Sequence, residues 1–188
     1  MSEGRLWPWL AGTGAALVML VVLAAGAAGA GLSSVLDLGG LLDLGGLLGG
    51  GGPAGGAPQI PPAMLTLYQQ AATTCPGLPW TVLAAIGTVE SGNGTSDLPG
   101  VYSGANYAGA EGPMQFEPAT FAEYDLPVPP GGVSPPSPYN AVDAVYAAAR
   151  DLCANGGGVS SDLAAAVFAY NHSWYYVDEV IATAEELG

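Results

Sequence analysis

The chain has 188 residues, 50% of them hydrophobic, which suits one compact domain plus an accessory segment. Its 16 acidic side chains are opposed only by Arg5 and Arg150, with no lysine, and the formal net charge is −14. Phosphate binding depends on clustered Lys and Arg, so this composition excludes direct nucleic-acid recognition.

From Leu6 to Leu36 no side chain is charged, and the centre of that stretch, Ala15 to Ala25, is strongly apolar. Roughly 20 apolar residues span a bilayer, so residues 1–36 are expected to form a transmembrane anchor or a signal peptide. In the second reading Arg5 supplies a thin basic region, and Ala25-Gly26-Ala27 or Ala28-Gly29-Ala30 the small residues of a cleavage site. Both readings export the rest of the chain. The length of the apolar stretch and the spacer behind it favour the anchor. Residues 37–58 are the spacer, a flexible Gly-rich linker in which Asp37-Leu38-Gly39-Gly40-Leu41-Leu42 recurs as Asp43 to Leu48. Two copies of so short a unit cannot bury a continuous core, so no solenoid is expected.

Residues 59–188 are expected to form one mainly α domain. Pro61 and Pro62 suit a first helical turn, and Met64, Leu65, Tyr68, Ala71 and Ala72 make an apolar face that ends near Cys75-Pro76-Gly77. Pro79 opens a second helix, Trp80 to Glu90, stopped by Ser91-Gly92-Asn93-Gly94. At 3.6 residues per turn Leu83, Ile86 and Glu90 share a stripe, so burying the first two turns Glu90 inward. Partial burial disfavours a charged carboxylate and raises its pKa, which is what a general acid working near neutral pH requires. The alternative is a helix-terminal glutamate that reaches solvent, since Glu is almost never fully buried unless paired.

A long loop, or a small hairpin, is expected between Gly92 and Glu111. Pro118 opens a short helical segment through Phe121 and Tyr124, and Pro127 to Pro138 is a proline-rich loop without periodicity. Asn140 with Asp143 marks a further helix start, and that alanine-rich run stops at Asn155-Gly156. Ser161 is the expected cap of a helix carrying Leu163, Val167 and Phe168. Ser173 is the expected cap of a last helix carrying Val177, Val180, Ile181 and Ala184. Cys75 and Cys153 are the only cysteines, and in an exported chain they most simply form one disulfide. A metal site is disfavoured, because zinc usually needs three or four ligands and His172 is the single histidine. No metal and no cofactor are expected.

Three segments in this order, Val89-Glu90-Ser91, Gly112-Pro113-Met114-Gln115-Phe116 and Ala169-Tyr170-Asn171, resemble the motifs of the lytic transglycosylases of the soluble-lytic-transglycosylase (SLT) type. That resemblance covers roughly Ile60 to the C-terminus. One departure is Pro113, where many members carry leucine. The resemblance implies a lysozyme-like helical fold close to goose-type lysozyme, and peptidoglycan glycan strands as substrate. It implies that Glu90 protonates the glycosidic oxygen and then acts as base on the 6-hydroxyl of the same N-acetylmuramic acid, giving a 1,6-anhydro product. Ser91 is then expected beside the acid and the substrate, with Met114 and Gln115 lining the sugar cleft. The Tyr170 hydroxyl is expected to approach Glu90, and Asn171 completes the third motif.

Phe116 is expected in the core, and His172 is expected to be a polar residue at a helix junction. A hydrolytic muramidase on the same fold would need a second carboxylate, for which Asp97, Glu111 and Glu117 are the candidates. A third reading is a non-catalytic wall-binding module of a secretion or conjugation apparatus. Similar domains in actinobacteria and their conjugative elements often precede a cysteine peptidase, and no such domain occurs in this chain before Gly188. The chain's acidity would repel an anionic wall within a Debye length of roughly 8–10 Å. Retention there is expected to rest on short-range contacts or on the N-terminal tether.

Overall fold

A computed structural model describes residues 58–158 and 162–188. The expected anchor or signal peptide and the Gly-rich linker lie outside the described residues, as does Ser161. Among the described residues there are six helices: α1 (Pro62–Ala72), α2 (Trp80–Ser91), α3 (Pro118–Tyr124), α4 (Ala141–Ala154), α5 (Leu163–Asn171) and α6 (Trp174–Leu187). None is long and apolar enough to cross a membrane.

Helix α2 is the central element, packed against α1, α4 and most extensively α6. Its middle, Val82 to Ile86, is buried on every side, which its near-continuous apolar run dictates. Leu83 and Ile86 are fully buried, and Glu90 continues their stripe while keeping partial exposure. Gly92 ends the helix in the left-handed region (φ 58), a turn that glycine enters without steric cost, and the Asn93 N–H returns to the Gly87 carbonyl at 2.7 Å.

Polar caps set the later starts. The Asn140 carboxamide accepts from the Val142 and Asp143 amides at 3.0 and 3.1 Å, and Ser173 Oγ accepts from the Tyr176 amide at 3.4 Å. Helix α5 is capped by Asp162, one residue beyond the expected Ser161, through Ala165 N at 3.2 Å. The proline-rich loop is ordered by Asp143. This fully buried carboxylate accepts from the Ser137 amide at 3.1 Å and from the Val133 amide at 3.2 Å, giving backbone donors that no helix or sheet uses a fixed partner.

A disulfide joins Cys75, just after α1, to Cys153 at the end of α4, with Cα atoms 5.7 Å apart. Of the two alternatives between Gly92 and Glu111, the long loop is the one present. The isolated antiparallel bridge lies one step later, between Glu111 and Phe116. Asn106 organises the loop, its side-chain oxygen accepting from the Ala108 and Ala110 amides at 2.8 and 3.0 Å.

Candidate active site

The bridge closes a tight turn, Gly112-Pro113-Met114-Gln115, in which the Gln115 amide returns to the Gly112 carbonyl at 3.0 Å. Proline's fixed φ suits the second position of such a turn, so Pro113 fits the local chain path. Gly112 cannot be replaced, because a Cβ there would collide with the Pro138 carbonyl and φ is +78.

Two other parts of the chain hold this turn by consecutive carbonyls. Ser91, at the end of α2, donates from Oγ to the Pro113 oxygen at 2.6 Å and accepts from the Gly94 amide at 2.8 Å. Tyr170, near the end of α5, donates from its hydroxyl to the Met114 oxygen at 2.8 Å, and its ring meets Phe116 edge-on at 5.5 Å. Gln115, itself in the left-handed region (φ 48), donates to the Gly112 carbonyl at 2.8 Å and accepts from Asn106 at 2.9 Å. The three sequence motifs are thus bonded to one another, and much of their polar chemistry is taken up by this frame.

The frame borders a cleft of about 210 Å³. Glu90 at the end of α2, Gln115, Glu117 and Glu123 of the α3 region, Asp151 of α4 and Asn171 of α5 are among the residues that line it. Tyr170 and His172 line it as well. Ser91 is 1% exposed and Met114 fully buried, and neither is part of the lining. Asn171 Oδ1 is a buried acceptor without a hydrogen-bond partner. Of the candidate second carboxylates only Glu117 reaches the cleft; Asp97 and Glu111 do not line it, whereas Glu123 and Asp151 do.

The hydroxyl that meets the Glu90 carboxylate belongs to Tyr176 of α6, at 2.7 Å, and not to Tyr170 as the motif suggested. Tyr170 instead reaches the turn, because α5 ends beside it, while the docking of α6 on α2 brings Tyr176 across the chain to the acid. Although part of Glu90 reaches the surface, burial of its carboxyl dominates and pushes the pKa up to about 7. The Tyr176 hydrogen bond opposes this by stabilising the charged form, and the nearby Glu179 charge adds to the rise. Burial likewise raises both phenols, and the Glu90 charge raises them further, so Tyr170 and Tyr176 remain donors. Asp151, 5% exposed, is pushed up to about 6 by burial, against a hydrogen bond of 2.8 Å from Asn155.

Removing the hydroxyl that favours the anion should raise the Glu90 pKa further. Tyr176→Phe is therefore expected to shift the titration of the Glu90 carboxyl carbon, followed by NMR, to higher pH than in the parent protein. An unchanged or lower midpoint would show that the Tyr176 bond does not set the acid's state.

Chemically, the cleft offers a carboxyl that holds its proton close to neutrality, in a groove lined by further carboxylates and amides. No grouping of three or more His, Cys, Asp or Glu suited to a metal ion occurs among the described residues. No curated protein and no solved structure matches the chain. The family model for the transglycosylase SLT domain, however, matches residues 67–187, spanning Glu90, the turn, Tyr170 and Tyr176. The chain therefore belongs to the transglycosylase SLT domain family, whose general activity is the degradation of peptidoglycan by lytic transglycosylation.

Proposed function

We propose that the domain is an exported peptidoglycan lytic transglycosylase that cleaves the β-1,4 bond between N-acetylmuramic acid and N-acetylglucosamine, with Glu90 as its acid and base. The observation that carries this reading is the Glu90 carboxyl, raised to about 7 by burial and held by Tyr176. In the first step Glu90 gives its proton to the glycosidic oxygen and the N-acetylglucosamine side departs. The carboxylate so formed takes the proton of the muramic 6-hydroxyl as that oxygen bonds to C1. Glu90 ends neutral again, and the product is the 1,6-anhydro sugar. An internal nucleophile needs no positioned water, and its effective molarity lets it outrun hydrolysis. Work on the wall requires export, and the Cys75–Cys153 disulfide supports that reading.

One observation favours a second reading on the same fold. Asp151 and Glu117 share the cleft with Glu90, and either could activate water for hydrolysis. The products decide. Peptidoglycan digested with the enzyme and then treated with borohydride should yield fragments whose muramic ends resist reduction. Each should weigh roughly 18 Da, one water, less than its hydrolytic counterpart before reduction, because no water enters the bond that breaks. Predominantly reducible ends would instead make the enzyme a muramidase, with Asp151 or Glu117 as the base.

A further inference from the structure

Trp174, the first residue of α6, is 59% exposed, and one ring stacks against it. Phe168 stacks beneath it, with ring centroids 4.6 Å apart and planes 26° apart, and Phe168 in turn meets His172 edge-on at 5.9 Å. His172 lines the acid cleft. Three rings therefore form a wall that starts at the cleft and runs outward. The joint is fixed by the left-handed backbone of His172 (φ 59) and by its amide, which donates to the Phe168 carbonyl at 2.6 Å. The outer face of the indole is presented on a rigid support, where ligand contact costs little ordering.

We propose that this open face of Trp174 is a stacking subsite for a pyranose ring of the glycan strand where it leaves the cleft. The proposal rests on the transglycosylase reading of that cleft. A cleft of about 210 Å³ is smaller than the roughly 300–1,000 Å³ of pockets that enclose a drug-sized ligand. A polymer seated in it must lie for most of its length on surfaces outside. β-linked pyranoses carry axial C–H bonds on their faces, and the negative face of an indole attracts such polarised hydrogens. Stacking also suits this chain's charge. It has no lysine, and Arg150, the one arginine among the described residues, donates to the Tyr124 and Pro127 carbonyls, so little cationic charge is left there for an ionic grip on a wall polymer. The uncharged sugar faces remain accessible to stacking.

The test uses the full-length Glu90→Gln protein, titrated calorimetrically with β-1,4-linked N-acetylglucosamine oligomers from two to six units. Adding Trp174→Ala is expected to weaken binding of the longest oligomer about 3- to 10-fold, the scale of one aromatic contact, while the dimer binds as before. Trp174→Leu, which keeps an apolar cover over Phe168 but lacks a flat face, should show the same loss. Trp174→Phe should regain most of it. Equal binding by all variants would overturn the subsite, and so would an equal loss at every oligomer length. A wild-type homodimer in sedimentation that Trp174→Ala dissociates would assign the face to a second copy and overturn it too. If oligomers bind through Trp174 while the wild-type protein leaves peptidoglycan uncut, the enzymatic reading falls and the subsite stands. Cleavage with Trp174-independent binding sinks the subsite alone.

Discussion

Glu90→Gln is expected to lower peptidoglycan solubilisation by about 10²-fold or more, the contribution of a positioned general acid. The amide keeps the shape of the side chain and can still accept from Tyr176, so the loss isolates the proton. The same substitution should make the domain more stable at alkaline pH. An unfolded glutamate titrates near 4.5, whereas folding raises Glu90 to about 7. Below pH 4.5 both states hold the proton and the wild type carries no penalty. Between those values the unfolded chain loses its proton first, so wild-type stability falls as pH rises, and above pH 7 the full cost of the buried charge is present. That cost is on the order of 3 kcal/mol at one pKa unit per 1.36 kcal/mol. Urea melts of both proteins should therefore coincide near pH 4 and separate by pH 8, with the Gln variant higher. Wild-type clearing of peptidoglycan by Glu90→Gln would remove Glu90 from the chemistry. Parallel melts at all pH values would contradict its buried state.

Reduction of Cys75–Cys153, or its replacement by two serines, should destabilise the domain by roughly 4–5 kcal/mol, because the bond closes a loop spanning a sequence separation of 78 residues. That is a large fraction of the 5–15 kcal/mol that holds a typical domain together. The thermal midpoint should drop steeply under reducing conditions. Non-reducing peptide maps of protein from an oxidising compartment should recover the two cysteines in one linked pair. Equal midpoints with and without reductant would show that the loop's entropy does not stabilise this fold.

The position of Glu90 was legible because Leu83 and Ile86 lie seven and four residues before it, on a stripe that burial of α2 had to turn inward. The starts at Asn140 and Ser173 were legible for a similar reason: a capping side chain acts within three residues of itself. Tyr176 was not. Its partner is 86 residues away, and nothing local shows which acid a phenol will meet once α6 packs on α2. A weak signal existed, since Tyr176, Val180 and Ala184 recur at steps of four and all three are buried. Asp151 hid behind an alanine-rich run, although Ala144, Ala147, Ala148 and Asp151 follow one buried face of α4. Ser91 was recognisable as a motif residue, but its bond to Pro113, 22 residues away, depends on how the turn seats against α2.

The disulfide divides the domain in a way that bears on when the site exists. Glu90 and the Gly112-to-Gln115 turn lie inside the covalent loop from Cys75 to Cys153, whereas α5 and α6 lie outside it. Tyr170, Tyr176 and Trp174 all belong to this C-terminal arm. The looped body therefore carries an acid without its hydroxyl partner, open to water on the side that α6 covers. A glutamate open to water titrates in the usual carboxylate range, so proton donation by Glu90 is expected to depend on the arm. The Tyr176 hydroxyl, and the cover that α6 lays over α2, both arrive with the arm. A chain that ends before its last two helices is therefore expected to leave peptidoglycan uncut even with its disulfide closed.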